Sequence, residues 1–83
     1  MALTEGYTIQ LISSLTEVDT RDYQFKEYKG RVELYMGEGR YKYKYCYGQY
    51  ASREEAQANL AEVRKGFKDA YIVHFKDGKI VTK

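Results

Sequence analysis

The 83-residue sequence predicts an α+β fold: a four-stranded antiparallel sheet in βαββαβ order, with helices on one face and the first helix short or irregular. Three observations predict it. The stretch "YKYKYCY" at 41–47 alternates tyrosine with other residues at the two-residue period of a strand. The segment "SREEAQANLAEVRKGF" carries one apolar stripe, so its helix has a single face to bury. The segments around 6–14, 31–39 and 69–81 also read as strands, bounded by serine, glycine and aspartate.

In "GYTIQLISS" (6–14), Tyr7, Ile9 and Leu11 face one way, and Thr8 and Gln10 the other. Ile12 falls on the polar parity, which marks either a contact on that face or the end of the strand. Residues 15–30 hold no firm helical period, and Thr16, Asp19, Thr20 and Asp22 favour caps and turns, so an irregular connection with one or two helical turns is expected. In "RVELYMGEG", Val32, Leu34 and Met36 share a face opposite Glu33 and Tyr35, and "GEG" supplies the reversal into the third strand, since glycine accepts a positive φ. Ser52 and Glu55 form a capping-box pattern, Ala56, Leu60 and Val63 make the stripe, and Gly66 is expected just past the helix end. The last strand runs through "DAYIVHFKDGKIV", with "KDGK" turning the chain into a short extension. One domain over 6–81 with a tail at 1–5 follows, and one amphipathic helix leaves the opposite sheet face open to water.

Ten tyrosines and no tryptophan suit a thin core, because tyrosine gives apolar area while its hydroxyl stays wet. Parity assigns Tyr43, Tyr45 and Tyr47 to packing against the helix, and Lys42, Lys44 and Cys46 to the open side. A formal charge of +2 is too small to argue nucleic-acid binding. The single cysteine allows no internal disulfide, and with only one histidine no metal site or nucleophile–base pair is evident, so neither a cofactor nor enzymatic activity is expected. No run approaches the ~20 apolar residues of a membrane span, and the N-terminus lacks the pattern of a secretory signal.

Three stretches narrow the reading: "YTIQLISS", "YKYCYGQYASREEAQANL" and "GFKDAYIVHFKDGK". Together they resemble the SPOR (sporulation-related repeat) domain, an RNP-like fold that binds peptidoglycan, in a version similar to those of Bacteroidetes attached to cell-wall amidases. The resemblance implies a non-catalytic module that recognises glycan strands freed of stem peptides and so targets a cell-wall or division protein to the septum. It implies a periplasmic or cell-envelope location with a signal or anchor upstream, a monomer, and no membrane insertion by this domain. Position by position, the strand-one glutamine of the family matches Gln10, the following serine matches Ser13, and the third-strand positions match Lys42, Lys44 and Cys46. The chain departs from the family where Lys42 stands in place of a tryptophan, and in its shorter first helix.

Thr8, Gln10 and Ser13 can exchange hydrogen bonds with sugar hydroxyls and N-acetyl amides, at about 1 kcal/mol net each. Lys42 and Lys44 can meet the free lactyl carboxylate of a stem-free muramic acid, and Tyr35 and Tyr71 are the candidates for ring contact with sugar faces. The same glutamine and serines could instead only satisfy strand-end backbone groups. Two other readings of the topology stay open. One is an RRM-like single-stranded RNA-binding domain, for which the RNP1 wording is missing; the other is a protein–protein interaction module.

Overall fold

The computed structural model describes residues 4–81; the first three residues of the expected tail lie outside the described residues. In chain order there are five strands and one α-helix: β1 (Glu5–Ser14), β2 (Val32–Met36), β3 (Tyr43–Tyr50), α1 (Arg53–Arg64), β4 (Tyr71–Lys76) and β5 (Lys79–Val81). Glu5 already belongs to β1, and the Thr4 carbonyl accepts from the Asp77 amide at 2.7 Å.

The connection between β1 and β2 is irregular, as its composition predicts. Its one helical piece is a 3-10 segment, Tyr23–Tyr28, opened by Asp22 accepting from the Gln24 amide. It is broken at Lys26, whose φ of 56° and ψ of −129° are costly for a residue with a Cβ. That conformation brings the Lys26 ammonium to the Gly66 carbonyl at the end of α1 and 4.9 Å from the centre of the Phe67 ring. A cation thus sits at the negative end of the helix dipole. At the other end of α1 Ser52 accepts from the Glu55 amide at 3.2 Å, and Glu55 reaches back to the Ala51 amide, one residue before the expected partner. Gly66 follows the C-cap Lys65 but is not among the positive-φ glycines; the Phe67 amide returns to the Val63 carbonyl at 3.0 Å and closes the last turn.

The tyrosine row lies where parity puts it. Tyr45 is fully buried, and Tyr43 and Tyr47 pack against the same core, which includes Leu60 and Val63 of α1. Ile12 joins this core as well. Gln10 pairs with Cys46 and Ile12 with Tyr45, so Leu11 is an extra residue that bulges out of the ladder and puts two consecutive side chains on the helix side. Beyond the bulge Ser13 pairs with Lys44 and faces away from α1. A second bulge sits on β3 at Gly48, whose φ of 84° lets the strand coil.

Two expectations are corrected. The sheet has five strands, not four, and it is mixed: β5 pairs antiparallel with β4 and meets β2 through one parallel bridge between Met36 and Lys79. The strand order β1-β3-β2-β5-β4 closes into a barrel. The face away from α1 is therefore not an open plane. It curls around a second small core of Tyr35, Cys46 and Phe75, flanked by Val73 and Ile80, with the Tyr35 and Phe75 rings 5.0 Å apart. The cause is the "KIV" extension. It is too short to bury a face alone, but it is brought back by an Asp-Gly turn with both residues at positive φ (52° and 80°), as a tight hairpin requires.

Candidate functional site

Four strands set a row across the face opposite α1, in which Tyr71, Gln10, Cys46 and Glu33 are successive cross-strand partners. Ser13, Lys44 and Tyr35 form the next row. Beside the paired β4 and β5, a cleft of about 450 Å³ opens at the Gln10–Tyr71 end of the first of these rows. Gln10 and Lys44 line it from the central strands, Tyr71 and Val73 from β4, and Ile80 and Val81 from β5. Its size lies within the roughly 300–1,000 Å³ usual for sites that hold a small ligand.

Gln10 is the informative residue. It is only 6% exposed, yet its side-chain amide has no hydrogen-bond partner among the described residues and borders the cleft. No side-chain nitrogen or oxygen of the described residues is sealed off without a partner, so the Gln10 amide is reached by solvent, and its donor and acceptor capacity is open to a ligand at the cleft. Lys44 enters from the side. Its stem lies over Gly37, where a Cβ would come within 2.5 Å of the Lys44 Cε, so glycine at 37 makes room for the lysine. Tyr71, 49% exposed, offers a ring at the rim.

The remaining sequence-predicted residues have other places. Ser13 is exposed beside Lys44 in the register. Lys42 is exposed ahead of β3 with its ammonium 5.9 Å from the centre of the Tyr43 ring, and it does not border the cleft. Thr8 is fully buried and its hydroxyl donates to the Gly48 carbonyl, which secures the β3 bulge. Tyr35 is 4% exposed, so its ring face belongs to the second core and not to the surface. Its hydroxyl donates to Glu33 at 3.1 Å and accepts from Gln49 at 3.1 Å. Burial first, and the neighbouring Glu33 charge with it, push the Tyr35 phenol up to about 12 against the opposing Gln49 bond. Burial pushes the Cys46 thiol up in the same way, with nearby Lys44 pulling less strongly in the opposite direction; the thiol stays protonated and unreactive.

Sequence reasoning missed Arg53, His74, Ile80 and Val81, all of which border the cleft. The available signal was the Asp-Gly turn, which returns Ile80 beside Phe75 and Val81 beside His74. Among the described residues, no group of three or more histidine, cysteine, aspartate and glutamate side chains is placed to hold a metal ion. No helix of the described residues is long and apolar enough to cross a membrane.

Comparison with known families gives one match: the family model described as SPOR domain aligns with residues 4–74, which takes in β1 through most of β4. No curated protein and no solved structure matches the chain.

Proposed function

The chain belongs to the SPOR domain family, peptidoglycan-binding modules of bacterial cell-division and cell-envelope proteins that are in general non-catalytic, and we propose that it holds peptidoglycan by its glycan strands, preferring those without stem peptides. The observation that carries this reading is the unpartnered Gln10 amide in a cleft that also collects Lys44 and Tyr71. A glycan strand offers what these groups lack. Its N-acetyl amide can both donate to and accept from Gln10, its flat C–H faces can lie on the Tyr71 ring and on Ile80 and Val81, and a stem-free muramic acid bears a carboxylate for Lys44. A stem peptide converts that carboxylate to an amide, removing the charge Lys44 would meet and adding bulk at the cleft mouth.

Ser13, next to Lys44, extends the polar contacts along the strand, and Lys42 adds a longer-range charge at the same end. Thr8 and Tyr35 support the site from below by fixing the bulge and the second core. Such a module would carry its parent protein, as in the amidase-linked Bacteroidetes versions it resembles, to septal wall in the periplasm. The burial of Cys46 and Tyr35 leaves Tyr71 as the one exposed ring of the row, which fits a sugar better than the stacked bases an RNA-binding sheet takes up.

The test is sedimentation with purified sacculi before and after amidase digestion. Binding should rise on digestion and fall with added salt, since a partly exposed lysine–carboxylate pair is screened. Equal binding to both preparations removes the stem-free preference, and no binding to either removes the reading.

A further inference from the structure

The reversal between β2 and β3 holds two glycines that are there for different reasons. Gly39 has a φ of 84°, and nothing lies within 4 Å of where its Cβ would stand, so it serves the turn. Gly37 is not among the positive-φ glycines, so no left-handed backbone calls for it. What calls for it is the space above it. A Cβ there would meet three carbons of Lys44, with Cε at 2.5 Å, Cγ at 3.0 Å and Cδ at 3.3 Å. The neighbour, not the turn, requires the glycine.

Register places this contact on the face opposite α1. Tyr35 is the direct partner of Lys44, and Gly37 lies two residues on, with the facing of Tyr35 and Glu33. Its backbone is tied on both sides: the Gly37 amide donates to the Lys42 carbonyl at 2.8 Å, and the Met36 amide donates to the Gly78 carbonyl at 3.1 Å. The lysine stem therefore lies flat across bare backbone from Cγ to Cε. Every other lysine and arginine among the described residues is exposed, whereas Lys44 is half-buried. None of the ion pairs among the described residues includes it. A free lysine stem samples many rotamers, and fixing it on a ligand costs entropy. A stem already laid down has lost part of that freedom before the ligand arrives, so its ion pair keeps more of its worth.

We infer that Gly37 is a positioning residue for Lys44: by lacking a side chain it lays the lysine stem along the sheet and sets where the ammonium meets a ligand carboxylate. The inference rests on the glycan reading above and deepens it, because residue 37 then determines how strongly ligand charge is felt. A larger residue lifts the stem, so the ammonium moves and regains mobility while Gln10 and Tyr71 keep their places. The stem is flexible, and its displacement costs the fold little. The effect falls on binding.

Two stem-free hexasaccharides of alternating N-acetylglucosamine and N-acetylmuramic acid serve as probes. One has its lactyl carboxylates free; the other has all of them capped as methylamides. Affinities are measured by NMR titration for the native chain, Gly37→Ala, Lys44→Gln and the double variant. The native chain should prefer the free strand. Gly37→Ala should lower that affinity about three- to fivefold, the size of a partly exposed ion pair, and leave the capped strand within about twofold. On the Lys44→Gln background the same change should move neither affinity by more than about twofold, as expected when one residue acts through another. Without ligand, NOEs should join the Gly37 α-protons to the Lys44 methylenes in the native chain, and the urea midpoint of Gly37→Ala should stay near the native one. A native-like affinity of Gly37→Ala for the free strand, an equal loss on both strands, or a loss that persists without Lys44 overturns the positioning role. So does a large fall in the midpoint or the absence of those NOEs. A native chain that binds both strands equally leaves glycan binding intact and removes the charge contact that Gly37 is inferred to position. A native chain that binds neither overturns the glycan reading itself, and the inference with it.

Discussion

Tyr45 and Gln10 show how differently two buried residues on neighbouring strands are used. The Tyr45 hydroxyl donates to the Val18 carbonyl at 2.9 Å and accepts from the Val18 amide, so one phenol satisfies both backbone groups of a residue in the irregular connection. Tyr45→Phe keeps the ring against Phe25 and removes only that clasp. It should cost about 1–3 kcal/mol, the range for leaving part-buried backbone groups unpaired, read as a lower urea midpoint with glycan affinity unchanged. Gln10 has no such clasp to lose. Gln10→Ala should weaken binding to stem-free glycan about three- to tenfold, the worth of one or two hydrogen bonds, while the urea midpoint moves far less than for Tyr45→Phe. A midpoint shift as large as that of the tyrosine variant would make Gln10 a structural residue and remove it from the site.

At the level of elements, the β4–β5 hairpin decides the shape of the binding face. Asp77 and Gly78 both hold positive φ, and nothing lies within 4 Å of where a Gly78 Cβ would stand. Gly78→Ala is therefore a backbone change alone, costing about 1 kcal/mol for a left-handed residue with a side chain. Its effect should be local. The Gly78 carbonyl accepts from the Met36 amide at 3.1 Å, one of the few ties between β2 and β5. Hydrogen exchange at Met36 should quicken about fivefold while amides of α1 keep their protection; uniform quickening would mean that the hairpin is not a separate opening unit. The same hairpin marks the limit of what could be read from sequence. The helix, its N-cap, the tyrosine parity and the Asp-Gly turn were legible because each is a local pattern. That three residues after the turn form a fifth strand was not, because "KIV" is too short to show a period and its pairing with β2 spans some forty residues of chain. The bulge at Leu11 escaped for a related reason: Ile12 looks out of phase until its partner Tyr45 is known.

Taken as a whole, the molecule has two unequal cores on the two sides of one coiled sheet, and each buries tyrosine. This gives its stability a particular dependence on alkaline pH. Burial raises the phenols of Tyr28 and Tyr35 from 10.0 to about 12, and it raises Tyr50 and the Cys46 thiol as well. In each case the folded chain keeps a proton that the unfolded chain gives up first. The stability these groups contribute is fully present below their unfolded values, and it declines as pH rises from about 9–10 towards 12. Urea midpoints should therefore be flat in this respect up to about pH 9 and fall above it. Tyr35→Phe separates this linkage from general charge repulsion, because it removes one titrating group while keeping the ring on Phe75. The variant loses the bonds to Glu33 and Gln49 and should start lower at pH 7. Its stability should then fall less steeply than that of the native chain between pH 10 and 12. Parallel curves would mean that Tyr35 ionises freely in the folded protein. That outcome would contradict the closed second core, and with it one wall of the proposed binding cleft.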